Sequence, residues 1–423
     1  MKSRREIGFG VALALVVGNM IGSGVYLLPA TLAPLGLNAL AGWGVTIVGA
    51  MSLAWVFARL AARIPEAGGP YAYVDRAFGP AAGFVVAWGY WVSVWTGNAA
   101  IAVAAISALS SPLVFLRQPA LAALAALALV WGLILVNVRG VALAGQVQVV
   151  TAVAKLVPLA LVIMLGAWYV LPQAHVAAVM PAAVPLGGGM IAQAAALTFW
   201  GFLGVEAATV PAERMIDPGR NVPRATMLGT AFTGVIYFAI AAILLFYVPS
   251  HMLAQSPAPV ADFLGRAFGP VAAGAMALFA AVSALGALNG YILLQGEMPW
   301  AMARGGVLPA WFAAETAQGT PARAQIISGV LLSAVMLLNY AGSTAGLFAA
   351  VIEISLAAAM VAYFGSALAA VKLVRDDWTV TLAGSVAAIF VVWMVWGLGL
   401  RADLWGLALL AVGAPVYWSM RRA

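Results

Sequence analysis

The chain has 423 residues, of which 65% are hydrophobic and 8% are charged, with a formal net charge of +7 and no cysteine. Soluble domains carry about a quarter of charged residues, so this composition excludes a soluble globular protein and indicates a polytopic membrane protein. The absence of cysteine excludes disulfides and thiolate metal sites, and two histidines argue against a structural zinc site.

Twelve apolar segments of the sequence are each long enough to cross a bilayer as a helix, which takes about 20 residues. In chain order they cover residues 8–33, 38–62, 81–111, 118–137, 143–170, 187–210, 225–248, 267–302, 323–340, 345–371, 378–397 and 402–420. The first lacks a clear small-residue cleavage site, so no cleavable signal peptide is expected. The sequence therefore predicts an all-α membrane protein with one transmembrane domain over residues 1–423.

Lysine and arginine are distributed unevenly between the predicted connections. With a cytoplasmic N-terminus, sixteen lie on the cytoplasmic side, Lys155 lies within a span, and only Arg117, Arg266 and Arg401 lie outside. This asymmetry follows the positive-inside rule and predicts that both termini are cytoplasmic. Because topology explains the basic charge, nucleic-acid binding is the weaker interpretation.

The first predicted span is interrupted by the glycine-rich stretch Gly18-Asn-Met-Ile-Gly-Ser-Gly24. Lipid cannot hydrogen-bond backbone groups, so an unwound segment at membrane depth must line a cavity or bind something. The free amides of residues 22–24, at the start of the continuing half-helix, would favour an anion. Close packing of helices through small residues is the alternative interpretation.

The sixth span repeats this interruption at Phe199-Trp-Gly-Phe-Leu-Gly-Val-Glu206, where two glycines and a carboxylate lie in mid-helix. Paired interrupted helices in corresponding positions of inverted halves point to the substrate site of a secondary transporter. Because the two spans lie five apart, the pattern predicts inverted repeats over residues 8–170 and 187–371. The helices over 378–420 would then be appended.

Four ionisable side chains lie inside predicted spans, where such groups are costly and usually functional. Glu206 lies beside the second break and would switch between charged and neutral forms, or be a structural acid bonded to backbone. Lys155 would take the place of a sodium ion and tie spans 1 and 5 together, unless it snorkels to an interface. Glu297 and Glu353 are expected to be protonated or paired. The sequence leaves open which of Lys155, Glu206 and Glu353 carries a proton.

Several segments carry a resemblance to a known family. They are Gly18-Asn-Met-Ile-Gly-Ser-Gly-Val-Tyr-Leu-Leu-Pro29, Glu66-Ala-Gly-Gly-Pro-Tyr-Ala-Tyr73, Phe202-Leu-Gly-Val-Glu-Ala207, Asp217-Pro-Gly-Arg-Asn-Val-Pro-Arg224 and Tyr90-Trp-Val-Ser-Val-Trp-Thr-Gly-Asn98. Together they resemble the amino acid–polyamine–organocation superfamily, and within it the bacterial basic amino acid/polyamine antiporters, which include arginine–agmatine antiporters. The resemblance runs over essentially the whole chain.

The resemblance implies a twelve-helix transporter with the five-plus-five inverted-repeat fold, no cofactor, no metal and no catalytic residue. The substrate-binding residues that it implies are Met20, Ile21, Gly22, Ser23, Gly24, Ser93, Val94, Asn98, Ile101, Trp200, Leu203, Tyr291 and Ser355.

Within this set, the region of Ser23 and Gly24 would hold the substrate carboxylate. The backbone carbonyls of Met20, Trp200 and Leu203 would accept the α-amino group, and the indole of Trp200 would cover the substrate.

The resemblance also implies a gate on the cytoplasmic side, formed by Tyr90, Glu206 and Tyr363. Glu206 would be its pH-sensitive member. Lys155 and Glu353 complete the residues expected to take part in gating or proton coupling.

Two positions depart from the pattern of the arginine–agmatine antiporters. Tyr291 stands where those proteins stack a tryptophan on the guanidinium, and tyrosine is a poorer cation–π partner. Lys155 is similar to the span 5 lysine of proton-coupled and neutral amino acid members.

The sequence thus predicts an exchanger of amino acids and amines in the bacterial inner membrane, with basic amino acid/polyamine antiport as its activity. The alternative is a proton-coupled permease for neutral amino acids. The expected partners are the substrate and the lipid bilayer, and proton coupling and a homodimer are left open. A membrane-embedded enzyme would need a water-accessible catalytic pair, and the spans show no histidine, cysteine or paired aspartates.

Overall fold

The computed structural model describes residues 6–22, 24–110, 112–170, 178–256, 258–341, 345–398 and 400–422. Over these residues the chain is helical, and its only β-type pairing is a single bridge between Ile7 and Met215. Ten helices of this part of the chain are long and apolar enough to cross a membrane. The prediction of an all-α, multi-pass membrane protein is therefore confirmed.

The α-helices are numbered here in chain order. They are α1 Phe9–Met20, α2 Gly24–Leu32, α3 Leu37–Arg63, α4 Pro70–Phe78, α5 Pro80–Leu109, α6 Pro119–Arg139, α7 Val141–Val170, α8 Gly188–Phe199, α9 Pro218–Tyr247, α10 Ser250–Gln255, α11 Pro259–Phe268, α12 Pro270–Arg304, α13 Ala322–Ala341, α14 Ala345–Leu373, α15 Trp378–Leu398 and α16 Leu400–Arg422.

The first predicted span consists of two helices with a break between them. α1 ends at Met20 and α2 begins at Gly24, so the glycine-rich stretch is not continuous helix. The amide of Gly22 bonds the carbonyl of Met20 at 2.9 Å, a bond that an α-helix does not contain. The predicted break in this span is confirmed.

The sixth predicted span is helical only in its first half. The interruption predicted at residues 199–206 is confirmed, but the chain does not resume as a helix after it, so the predicted end of the span at residue 210 is wrong. α8 ends at Phe199, a short 3-10 segment covers residues 200–202, and the chain then continues in turns. The amides of Val205, Ala207 and Thr209 each bond the carbonyl three residues earlier, which is the 3-10 pattern. Gly204 has a φ of 103°, which an α-helix cannot contain.

Three short helices lie within the longer predicted connections. α4 precedes α5, and α10 and α11 precede α12. α4 and α11 each have proline in the first turn and end at a glycine with positive φ, Gly79 at 88° and Gly269 at 82°. These are the residue types that start and stop helices. Span 8 accordingly begins at Pro270, after the glycine at which α11 ends.

Several basic residues predicted to be cytoplasmic meet at one end of the helix bundle. Arg59 and Arg63 at the end of α3 donate to Asp377 at 2.6 Å and to Asp376 at 2.8 Å, in the link between α14 and α15. At the end of α12, Arg304 pairs with Glu213. Hydrogen bonds between residues 67–68 and residues 210–213 join these segments. This end of the bundle is called the basic end below.

Candidate functional site

A cavity lies between the two helix breaks. One side of it is formed by the ends of α1 and α2, and another by the segment that follows α8. The long helices α5, α12 and α14 complete the wall, and α5 packs against both of the others. The helix breaks predicted from the sequence therefore face one shared space.

Most of the side chains expected to form the site line this cavity. From the predicted substrate-binding and gating residues, those in the wall are Met20, Gly22, Gly24, Tyr90, Ser93, Val94, Asn98, Ile101, Trp200, Leu203, Glu206, Tyr291, Ser355 and Tyr363.

Three predicted residues lie outside the wall, and one lies outside the described residues. Ile21 and Lys155 are completely buried behind the first break, and Glu353 is partly buried on α14. The prediction for Ser23 falls on a residue that the structure does not describe.

The first break is braced by Lys155 from α7. Its ammonium nitrogen donates to the carbonyls of Gly18 at 2.8 Å and Ile21 at 2.6 Å. The hydroxyl of Ser283 on α12 lies 3.2 Å from the carbonyls of both Ile21 and Gly22. Carbonyls released by unwinding need donors inside the membrane, and these side chains supply them. The expected contact between spans 1 and 5 is present, whereas a coupling role for Lys155 stays a prediction.

The carbonyl of Met20 already accepts two hydrogen bonds. Tyr237 on α9 donates its hydroxyl at 2.6 Å, and the amide of Gly22 donates at 2.9 Å. A carbonyl has two lone pairs, so this group has no acceptor capacity left in the present state. An α-amino group could bond Met20 only after one of these donors withdraws. The carbonyl of Trp200, the second predicted acceptor, receives the amide of Leu203 at the longer distance of 3.4 Å.

The indole of Trp200 lies directly over Gly24. A Cβ atom added to Gly24 would come within 3.0 Å of two carbons of that ring. Real Cβ contacts are rarely so short, so a glycine at this position allows the aromatic ring to close against the start of α2. The two breaks thus touch each other at one wall of the cavity.

Glu206 lies at the centre of a cluster of hydroxyl donors. Tyr90 of α5 donates to its Oε1 at 2.7 Å, and Tyr363 of α14 donates to its Oε2 at 2.6 Å. The hydroxyl oxygen of Tyr363 also accepts from the amide of Gly204 at 3.4 Å. Glu206 is 1% exposed, so these bonds replace water as the partners of its carboxyl group. The three residues predicted to form a gate therefore bond one another between three separate segments.

The electrostatic character of the cavity is set by one carboxyl group. Among the described residues of the wall, Glu206 is the only acid, and none is lysine, arginine or histidine. Hydroxyl, amide and aromatic groups make up the rest of the polar surface. When ionised, Glu206 makes the cavity attractive to a cation and unfavourable for an anion, because interactions between charges are strong away from water.

Neutral polar groups of α5 and α14 line another part of the wall. Ser355 donates its hydroxyl to the carbonyl of Ser93 at 2.8 Å. A Cβ atom at Gly97 would lie 2.8 Å from the Ser355 hydroxyl oxygen, so glycine gives this side chain its room. One turn of helix away from Ser93, Asn98 donates its amide nitrogen to Gln295 Oε1 at 2.7 Å.

Six wall residues were not predicted from the sequence. They are Asn19, Gly97, Ala100, Gly201, Ala287 and Ala359. Asn19 is a polar residue within the first break, and its position there could have identified it as a wall residue. The others are alanines and glycines, whose residue type is common throughout membrane helices and carries no chemical information.

The buried acid of span 8 is paired rather than isolated. Glu297 is completely buried and accepts from Arg214 Nε at 2.5 Å. Arg214 also donates to Glu315 and to the carbonyl of Gly319. Burial lowers the pKa of Arg214, but the two carboxylates outweigh that effect and raise it overall, so the guanidinium stays charged. This ion pair lies near the basic end and does not touch the cavity.

Comparison with known proteins identifies relatives over most of the chain. A family model described as amino acid permease matches residues 7–415. The chain is 35% identical over 382 residues to a cadaverine/lysine antiporter of Escherichia coli K12, covering 89% of this chain and 85% of the relative. It is 29% identical over 442 residues to an arginine/ornithine antiporter of Pseudomonas aeruginosa, with 98% and 91% covered. It is 26% identical over 411 residues to a putrescine transporter of Escherichia coli, with 95% and 93% covered.

Two solved structures are similar in fold. One is a manganese transporter of Eremococcus coleocola, with a TM-score of 0.55, 12% identity, and 97% of this chain and 92% of that chain covered. The other is a Na+-coupled sialic acid symporter in a substrate-bound outward-open state, with a TM-score of 0.54, 11% identity, and 95% and 90% covered. At such low identity these similarities concern the fold alone.

Proposed function

Because the chain belongs to the amino acid permease family, we propose that it exchanges basic amino acids and their amines across the bacterial inner membrane. The observation that carries this proposal is the cavity between two helix breaks, in which Glu206 is the single acid among the described wall residues. A basic amino acid or diamine brings the positive charge that such a cavity favours. The antiporters and the putrescine transporter to which the chain is similar act on substrates of this class.

Transport proceeds by alternating access around the two breaks. Twelve spans carry it, with residues 8–170 and 187–371 as inverted repeats and 378–420 as added helices, all in one domain. Support comes from the two interrupted spans, which lie five positions apart and meet at the cavity. The similarity in fold to two transporters of solved structure points the same way.

The basic end of the bundle faces the cytoplasm, together with both termini. Supporting this orientation are Arg59, Arg63 and Arg304, which lie at that end and belong to the more basic set of connections. Glu206 lies between the cavity and this end, because the chain runs within four residues from it to Val210, whose carbonyl bonds Gly68. Separation of Tyr90 and Tyr363 from Glu206 then opens the cavity to the cytoplasm.

A second candidate function is proton-coupled uptake of neutral amino acids. It is favoured by the ammonium group of Lys155, which bonds two carbonyls of the first break where a coupling cation could otherwise sit. The presence of Tyr291, rather than a tryptophan, in the cavity wall also removes the strongest partner for a guanidinium group.

Counterflow in proteoliposomes separates the two functions. Vesicles containing the purified protein are loaded with lysine, cadaverine, leucine or buffer, and uptake of labelled lysine is measured with and without an inward proton gradient. Exchange predicts uptake only when lysine or cadaverine is inside. Uptake of labelled leucine into empty vesicles, driven by the proton gradient, would instead establish the second function.

A further inference from the structure

Asn98 is held in one orientation by a residue that lies behind the cavity wall. Its amide nitrogen donates to Gln295 Oε1 at 2.7 Å, and both side chains are completely buried. Asn98 lines the cavity, but Gln295 does not. In the described part of the chain, the oxygen of the Asn98 amide and the nitrogen of the Gln295 amide are each left without a hydrogen-bond partner.

The backbone of Gln295 is itself anchored to two neighbouring helices. The hydroxyl of Ser328 on α13 lies 2.9 Å from the carbonyl of Gln295 and 2.8 Å from the carbonyl of Ala324, so its one hydrogen is shared between them. The hydroxyl oxygen accepts the indole N–H of Trp91 on α5 at 2.8 Å. Gln295 therefore has a defined position between α5, α12 and α13. Such anchoring is what a residue needs in order to hold another side chain in a fixed orientation.

The pairing decides which end of the Asn98 amide is available to a substrate. An asparagine side chain offers both donor and acceptor atoms, and it can rotate to present either. Because the nitrogen is committed to Gln295, the available atom is the carbonyl oxygen, an acceptor. A buried acceptor without a partner is costly, and an occupant of the cavity that carries N–H groups would remove that cost.

We propose that Gln295 is a positioning residue, which turns the Asn98 oxygen toward the distal ammonium group of the substrate. This inference rests on the proposed function, since it assumes a substrate with such a group. Ser355 adds a second acceptor, because its hydroxyl hydrogen is given to the Ser93 carbonyl, and the Ser93 hydroxyl at 3.4 Å takes at most one of its two lone pairs. An ammonium group has three donors and a compact charge, which two neutral acceptors in the wall of one cavity suit. The structure thus assigns lysine-type amino acids and diamines as the preferred substrates.

The test compares Gln295→Leu with a matched control, Gln325→Leu. Gln325 on α13 is also a completely buried amide, and it packs against Gly296, but it forms no hydrogen bond with Asn98. Binding of lysine and cadaverine to purified protein is measured by calorimetry. Gln295→Leu is expected to weaken both ligands about 10-fold, the effect of one hydrogen bond to a charged group. Gln325→Leu is expected to bind both like the wild type.

A double-mutant cycle with Asn98→Ala distinguishes positioning from a general structural effect. If Gln295 acts through Asn98, then Gln295→Leu weakens lysine no further once Asn98 is alanine. Gln295→Glu supplies a second check, since a carboxylate can only accept and keeps the Asn98 nitrogen bonded. This variant is expected to retain the wild-type affinity within about threefold.

The outcomes separate the inference from the function on which it rests. If the wild type binds neither lysine nor cadaverine, the proposed function fails. If it binds them and Gln295→Leu binds equally well, the inference is overturned. Additive losses in the Asn98→Ala background, or a Gln295→Glu variant as weak as Gln295→Leu, would also overturn it.

Discussion

The two helix breaks obtain their hydrogen bonds in opposite ways. At the first break, backbone carbonyls are freed and side chains from other helices bond them, with the ammonium of Lys155 between Gly18 and Ile21. At the second, the backbone continues in turns that pair its own groups. The bonds from other helices there go to a side chain, the carboxyl group of Glu206, which receives Tyr90 and Tyr363.

This difference gives the two breaks different roles: the first is held in place by its contacts, and the second acts as a gate. The contacts of the first break come from Lys155 and from the hydroxyls of Ser283 and Tyr237, and their acceptors are backbone carbonyls, which do not titrate, so we expect them to hold the break in a fixed shape. The contacts of the second break come from neutral hydroxyls and involve an acid that can gain or lose a proton. We therefore expect the first break to control stability and the second to control opening, and five substitutions test that division.

The largest effect is expected for Lys155→Met at the first break. The change removes the Lys155 donor from the buried carbonyls of Gly18 and Ile21 and leaves Ile21 with only the longer contact from Ser283, while keeping most of the side-chain volume. The free energy of unfolding should fall by about 2–3 kcal/mol, and exchange should be abolished. Thermal unfolding in detergent and counterflow in proteoliposomes measure the two effects.

Thr151→Val is the control for that change, because Thr151 lies one turn earlier on α7 and bonds only carbonyls of its own helix. It should leave stability and exchange close to the wild type. A Lys155→Met protein that is as stable as the wild type would contradict the view that this residue braces the break.

The second largest effect is expected for Glu206→Gln. The nitrogen of an amide can only donate and the group cannot change charge, so the bonds from the two tyrosines lose their charged acceptor, one tyrosine can no longer donate, and the gate loses its response to protons. Exchange should slow about 10-fold at neutral pH, as for the loss of one bond to a charged group, and should become independent of pH. Substrate affinity should be largely kept. Exchange rates are measured from acidic to neutral pH. If Glu206→Gln keeps the pH profile of the wild type, Glu206 is not the group that makes the gate respond to protons.

Smaller effects are expected when one tyrosine of the gate loses its hydroxyl. Tyr363→Phe removes a donor to Glu206 and an acceptor for the Gly204 amide, whereas Tyr90→Phe removes only a donor. Exchange should therefore change by roughly 5-fold in Tyr363→Phe and by roughly 3-fold in Tyr90→Phe. The two variants should unfold at nearly the wild-type temperature. A large loss of stability in either variant would show that these tyrosines stabilise the fold, as Lys155 is expected to do, instead of controlling opening.

The smallest effect is expected for Asp376→Asn, at the basic end and away from both breaks. The hydrogen bond from Arg63 lowers the pKa of Asp376. A carboxylate with a lowered pKa stabilises the folded state above its unfolded pKa, and this contribution is lost as pH falls through the folded pKa. Both side chains are exposed, so the stability change should be small at neutral pH and absent in acid. A clear fall in exchange rate would show that this pair, too, takes part in opening.

The sequence predicted the fold well because its signals are physical requirements of the bilayer. Apolar length located the spans, and glycine clusters located the break after Met20. Glycines likewise located the interruption at residues 199–206, but the turns that continue after it were not predicted, since residues 207–210 are as apolar as a helix would require. Their conformation depends on Gly204 and on contacts with Tyr363 and Thr209, which bring in a distant helix and side-chain hydrogen bonds.

Which site residues could be predicted from the sequence depended on their residue type. Glu206 and Lys155 stand out because charges are rare in membrane helices, and the breaks point to Gly22 and Trp200. Gln295 gave no signal, because its role depends on a partner 197 positions earlier in the chain.

The measurement that tests the central claim most directly uses the absence of cysteine from the chain. Ala287 lies in the cavity wall on α12, so Ala287→Cys introduces a single thiol at the proposed substrate site. Its rate of reaction with a small, water-soluble thiol reagent is measured in proteoliposomes with lysine, cadaverine or leucine present. Ala280→Cys, on the same helix but outside the wall, is the control.

Lysine and cadaverine should protect the thiol at position 287 and leave that at position 280 unaffected, and leucine should protect neither. Protection by leucine alone, or binding of lysine without protection at 287, would contradict the proposal that this cavity is the site of a basic amino acid and amine exchanger.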